Sequence, residues 1–253
     1  AVQLGLHVLL EKPPGNYRRL PLLLEEASAN IPPTTVFTAY HSSTPPGRPH
    51  IQAWIEQHAP NITTIHIEWK ENVQKWHPGQ HWITTRDGLG VLDIVFNPLS
   101  LLVNVLPSDH PLVLESAQLR RPTNWVSPLS GIAKIRSGTI AITADFAWDY
   151  IPKDDKTPEE LWNVTCTATA NSGSVSTSTM RIQDGGAQVY VDGTRVTTEP
   201  TAEYTIGPEY VNLYDMLVKL MNEGNSYIDA TTPKLIQEML EKAEWTQVDE
   251  YKF

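Results

Sequence analysis

Residues 6–43 constrain the fold most tightly. Residues 6–10 form a short apolar run preceded by Gly5, the pattern of a buried parallel strand that follows a helix end. The run stops at Glu11-Lys12-Pro13-Pro14-Gly15. Residues 16–29 then place Tyr17, Leu20, Leu23, Leu24 and Ala27 at helical spacing, with Pro21 awkward for a helix interior. Residues 34–40 read as a second strand, ending at His41-Ser42-Ser43. Strand, helix and strand make a βαβ unit with a right-handed crossover, and ligands of such sheets collect at the carboxyl ends of the strands. Lys12 and His41 stand at those two ends.

The breaker cluster Thr44-Pro45-Pro46-Gly47-Arg48-Pro49 marks a domain junction, dividing the chain into residues 1–43 and 44–253. A helix is expected over 50–58 and a strand over 63–69. Residues 76–82 form an irregular loop, because Pro78-Gly79 is turn chemistry. A helix over about 90–105 packs Leu92, Phe96, Leu99 and Val103. Beyond Pro107 the pattern turns to period two, with strands at 112–119, 131–135, 139–149, 161–170, 174–182 and 187–191. Asp184-Gly185-Gly186 and Asp192-Gly193 mark turns, and the whole reads as a long antiparallel meander. Helices over 208–223 and 233–244 close the chain, with Tyr210 and Tyr214 read as core. The fold class is α/β: a parallel βαβ unit, then an α+β unit with a large open, mostly antiparallel sheet.

Bulk properties exclude several partners. Over 253 residues the formal net charge is −10 and the pI about 5.2, which disfavours nucleic acid and anionic membrane surfaces. No run of eighteen apolar residues exists to span a bilayer. A lone cysteine, Cys166, excludes an internal disulfide framework and suits a reducing compartment, so a cytoplasmic location is expected. The sequons at Asn61 and Asn163 are read as chance. The chain opens on Ala1 and reads as starting inside a helix-to-strand unit, so a fragment or processed chain is expected.

Residues 68–100 concentrate the chemistry. They hold Glu71, Asp93, Asn97, His77, Trp69, Trp76 and Trp82. Indole faces with convergent acids and amides suit a pyranose, whose C–H faces stack and whose hydroxyls take hydrogen bonds. The bland alternative is that the tryptophans are ordinary core and His77 a turn residue. Asp93 and Asn97, at i and i+4, share one helical face, where the acid could take a hydroxyl proton and the amide hold the oxygen. A helix cap with a nearby polar residue explains the pair equally well, and Pro98 complicates the helix. Lys12, at a strand's carboxyl end, suits proton transfer or donation to a substrate oxygen, against the commoner surface lysine. A cis Lys12–Pro13 bond would fix its direction. His77 and His81 are spaced as metal ligands, but Pro78-Gly79 breaks the helix such spacing needs, and no third ligand lies nearby; no metal is expected.

Glu11-Lys12-Pro13 resembles the Glu-Lys-Pro signature of the glucose–fructose oxidoreductase and inositol dehydrogenase superfamily. The stretch Trp69-Lys-Glu-Asn-Val-Gln-Lys-Trp-His-Pro-Gly-Gln80, with Gly88-Leu-Gly-Val-Leu-Asp93 and Asn97-Pro-Leu-Ser100, is similar to its L-arabinose and D-galactose 1-dehydrogenase branch. Glu209-Tyr-Val-Asn-Leu-Tyr214 and Asn225-Ser-Tyr-Ile-Asp229 resemble the superfamily's last helices. The resemblance covers essentially the whole chain and is weakest over 107–200. It implies that residues 1–43 are the C-terminal part of a Rossmann nucleotide-binding domain and residues 44–253 a substrate-binding and dimerisation domain.

Carried over residue by residue, the resemblance puts Lys12, Asp93 and Asn97 around the reacting carbon of a sugar. Glu71 and His77 would bind hydroxyls, Trp76 and Trp162 would be apolar walls, and His41 would lie near the same pocket. Glu11, Lys12 and Pro13 would lie near the nicotinamide of NADP or NAD. Two departures stand out. No Gly-x-Gly-x-x-Gly occurs, and Arg86-Asp87 and Ile94-Val95-Phe96 replace small residues around Asp93. The implied activity is oxidation of an aldopyranose, D-galactose or L-arabinose, at C1 to its lactone, and the exposed face of the open sheet suggests a homodimer. The alternative is a non-catalytic sugar-binding or interaction protein without a nucleotide half.

Overall fold

The structure is a computed structural model that describes residues 1–85, 88–154, 157–171, 175–197 and 207–252. Strand β1 (Val8–Glu11), helix α1 (Leu20–Ala29) and strand β2 (Val36–Ala39) form the expected βαβ unit. Its two strands pair in parallel, Val8 opposite Val36 and Glu11 opposite Ala39. Pro21 causes no kink. The α-helix starts at Leu20, behind a short 3₁₀ turn over Tyr17–Arg19, so the proline falls in the first turn, where its missing N–H is no loss. The Lys12–Pro13 peptide is cis.

Helix α2 (Arg48–His58) follows the breaker cluster, with Pro49 in its first turn. Strand β3 (Ile62–Lys70), a one-turn helix α3 (Val73–Trp76) and helix α4 (Leu92–Val105) come next. The remaining strands are β4 (Leu112–Pro122), β5 (Ser130–Ser137), β6 (Ile140–Ala147), β7 (Leu161–Asn171), β8 (Val175–Gln183), β9 (Gln188–Val191) and β10 (Thr194–Arg195). Helices α5 (Gly207–Glu223) and α6 (Thr231–Lys242) and strand β11 (Glu244–Val248) end the chain.

The expected meander needs correction. The nine-stranded sheet runs β10-β9-β8-β7-β3-β6-β5-β4-β11, so β3 enters between β6 and β7. It pairs in parallel with β6 and antiparallel with β7, placing Trp69 opposite Trp162. The meander is thus two antiparallel halves joined by an earlier strand. A further parallel strand, β11, was not expected; it pairs with the β4 edge.

Alternation along β3, β5 and β6 buries one face and leaves the other open. The buried face packs on Ile51, Trp54 and Ile55 of α2, the apolar residues of α4, and Leu235, Ile236 and Met239 of α6. Helix α4 is buried nearly all round, which explains its high apolar content. Helix α5 returns to the small sheet, where Leu213 joins Phe37 and Ala39. Among the described residues, no helix is long and apolar enough to cross a membrane.

Candidate active site

A cavity of about 150 Å³ opens where the small sheet meets the large unit, and its lining includes Lys12, His41, Glu71, Asp93, Asn97 and His77. All but Asn97 lie at or next to an element end. Lys12 follows β1 and His41 follows β2, so both project from the carboxyl edge of the parallel pair. Glu71 lies one residue past β3, its N–H donating to Ala147 O at 2.9 Å. Asp93 occupies the first turn of α4 and Asn97 the next.

Lys12 ties the two units together. Its ammonium donates to Asp93 Oδ2 at 2.8 Å and to the Asp93 carbonyl at 3.1 Å, both groups being mostly shielded from solvent. Pro98, which lies inside α4, does not disturb this turn, because its missing N–H falls further along the helix. The helix begins at Leu92, after Gly90 at φ +54°, and Val91 N–H donates to Pro128 O at 2.8 Å. That loop contact sets where Asp93 points.

Glu71 is 4 % exposed, and each of its oxygens accepts an indole N–H: Trp148 at 3.1 Å and Trp162 at 3.2 Å. Burial pushes its carboxyl up to about 7, against the lowering effect of the two indoles and of Lys12. Trp162 packs against Trp69 (6.3 Å between ring centroids) and Trp76 (5.4 Å), so the three indoles form one wall. Trp76 is held by its N–H to Glu160 at 3.2 Å. His77 lies 5.1 Å from the Trp148 ring. His41 Nδ1 lies 2.6 Å from Glu209 Oε2 of α5.

The structure therefore gathers Lys12, Asp93, Asn97, Glu71, Trp76, His77, His41 and Trp162 around one cavity. Glu11 and Pro13 flank Lys12 but are exposed and do not line it. Trp82 is exposed and stands apart. Of Ile94-Val95-Phe96, Ile94 contributes to the lining; Arg86 and Asp87 lie outside the described residues. Tyr210 and Tyr214 are not core. Tyr214 is exposed, and Tyr210 stacks on His41 at 5.6 Å with an interplanar angle of 19°. Sequence reasoning missed Trp148 and the role of Glu209. Neither carries a local signal, because each meets its partner only through the fold.

No family model matches the chain. It is 31% identical over 240 residues to a galactose 1-dehydrogenase of Pseudomonas fluorescens, spanning 93% of this chain and 69% of that protein. The chain belongs to the glucose–fructose oxidoreductase and inositol dehydrogenase superfamily. Its structure is similar to that of a D-galactose-1-dehydrogenase from Rhizobium etli, with a TM-score of 0.82 at 27% identity over 100% of this chain and 74% of that one. A 3-ketoreductase from Actinomadura kijaniata, KijD10, shares the fold at a TM-score of 0.72 and 13% identity, over 98% of this chain and 74% of that one. This superfamily member is an oxidoreductase, and the fold of a Rossmann-type dehydrogenase accounts for the parallel β1–β2 pair beside the large open sheet.

Proposed function

We propose that the cavity oxidises an aldopyranose, D-galactose or L-arabinose, at C1 to the lactone. The observation that carries this reading is the convergence of Lys12, Asp93 and Asn97 on one cavity walled by Trp69, Trp76 and Trp162. A pyranose would lay an apolar face on the indoles and turn its hydroxyls to Glu71, His77 and His41. The galactose 1-dehydrogenase relative adds support for the substrate class.

Oxidation at C1 needs an acceptor for hydride, and NADP or NAD fits the donor set at one end. The carboxyl ends of β1 and β2 open beside Lys12, and Glu11, Lys12 and Pro13 would hold the nicotinamide there. The fit covers the reactive end, since no Gly-x-Gly-x-x-Gly occurs in the sequence to cradle a pyrophosphate. The nicotinamide, when bound, supplies the acceptor for the hydrogen and two electrons leaving C1. This chain's residues handle the rest. The O1 proton passes to the Lys12–Asp93 pair, in which Nζ and Oδ2 already share a hydrogen bond. Asn97 orients O1 from the next turn of α4, and Glu71 and His77 fix the ring.

On this reading residues 1–43 are the end of the nucleotide-binding domain and residues 44–253 the substrate and dimerisation domain. The open face of the large sheet supports a homodimer, because a broad bare sheet is normally covered. The buried Cys166 suits a reducing, cytoplasmic setting. Initial rates with D-galactose and L-arabinose against NAD⁺ and NADP⁺, run beside sugar titrations of tryptophan fluorescence, test the proposal. Sugar-dependent nucleotide reduction is expected. Saturable sugar binding with no reduction at any nucleotide concentration would favour the non-catalytic sugar-binding reading instead.

A further inference from the structure

Glu209 is a buried carboxylate that the proposed reaction does not use. It lies in the first turn of α5 with no exposed surface. Among the described residues its side chain has one partner, His41 Nδ1 at 2.6 Å, and its other oxygen, also buried, has none. Burying a carboxylate is costly, and an apolar side chain there would serve packing as well or better. The ties between α5 and Thr44 do not use the carboxylate: Thr44 Oγ1 donates to the Glu209 carbonyl at 3.2 Å, and Asn212 Nδ2 donates to Thr44 O at 3.0 Å. What the carboxylate adds is a hold on one imidazole.

That imidazole lines the cavity with Lys12, Asp93 and Asn97. Tyr210 stacks on the ring and sets its plane, while Ser42 Oγ lies 3.2 Å from the same Nδ1. An ionised Glu209 would accept from Nδ1–H, and in the neutral ring that leaves Nε2 as a bare acceptor. Nε2 makes no hydrogen bond among the described residues.

We propose that Glu209 is a positioning residue that fixes His41 as the Nδ1–H tautomer, so that Nε2 accepts a hydrogen bond from a hydroxyl of the bound sugar. This rests on the sugar reading of the cavity. An acceptor at His41 complements Lys12, an obligate donor, and so selects the direction in which a hydroxyl's proton points.

Nitrogen NMR of ¹⁵N-histidine-labelled protein at a pH where the ring is neutral reads the tautomer directly, with the His41 signals assigned by their loss in His41→Gln. The wild type should show a protonated Nδ1 and a bare Nε2, and Glu209→Gln should shift the signals toward a mixture of tautomers. D-Galactose affinity, read by tryptophan fluorescence, should fall about tenfold in Glu209→Gln, as for loss of a group that orients a ligand-binding imidazole. In the His41→Gln background the second substitution should have no further effect. A wild-type Nε2–H tautomer overturns the proposal without any variant. Unchanged tautomer and affinity in Glu209→Gln overturn it as well. If the tautomer behaves as expected but neither protein binds galactose, the sugar reading fails and the acceptor role falls with it, while Glu209 stands as the residue that fixes the ring.

Discussion

Glu71 has both carboxylate oxygens committed to indole N–H groups, and burial outweighs them in setting its proton affinity. A carboxyl held near 7 when folded, against 4.5 as a free side chain, favours the neutral form in the folded protein. The unfolded chain ionises first as pH rises, so its contribution to stability is complete below about pH 4.5 and is lost as pH climbs to about 7. The loss is about 3 kcal/mol. Urea unfolding across pH 4.5–8 should show this decline in the wild type and not in Glu71→Gln; parallel curves would contradict it. Lys12→Ala should cost turnover about 10³-fold, the scale of a removed proton-transfer group, and stability less than about 2 kcal/mol. Comparable losses in both would mean that Lys12 only ties the units together. A strand end and a helical repeat draw attention to Lys12, Asp93 and Asn97, but the roles expected of them come from the family resemblance. Trp148 and Glu209 carry no such signal, since they meet Glu71 and His41 across 77 and 168 residues.

Helix α4 carries Asp93 and Asn97, and its start depends on Gly90. That residue has φ +54°, and a Cβ there would lie 2.2 Å from Pro128 O. Gly79 is a control, since its φ is +73° with open space around it. Gly90→Ala should destabilise by about 2–4 kcal/mol and weaken sugar binding by moving Asp93, whereas Gly79→Ala should cost about 1 kcal/mol. Thermal unfolding and sugar titration of the two variants check this, and equal losses would show that the Pro128 contact does not set α4. The strands were readable one by one because period-two burial is a local signal. Their order was not. Inserting β3 between β6 and β7 depends on pairings between residues far apart in sequence, as do the β11–β4 edge and the exposure of Tyr214. A helical repeat can mark Tyr210 and Tyr214 as apolar, but only the fold shows that α5 turns that face toward His41 and solvent.

At the scale of the molecule, helices cover one face of the nine-stranded sheet and, among the described residues, the other is bare, with Ile132 half exposed on β5 beside Gln118, Arg120 and Asp145. If two copies cover each other there, sedimentation equilibrium should give a dimer that Ile132→Glu dissociates; a monomer at all concentrations would show that the sheet face stays open. The βαβ unit and the large sheet follow from sequence patterning; their meeting at the carboxyl end of β1, where the cavity lies, comes from the fold. On the proposed reading Lys12, Asp93 and Asn97 contact the O1 of a pyranose. Comparing D-galactose with 1,5-anhydrogalactitol, which lacks O1, by calorimetric titration tests that claim without any nucleotide. Galactose should bind at least tenfold more tightly, as expected for hydrogen bonds to charged groups, and Asn97→Ala should narrow the gap. Equal affinity for the two sugars would place the reacting carbon somewhere else.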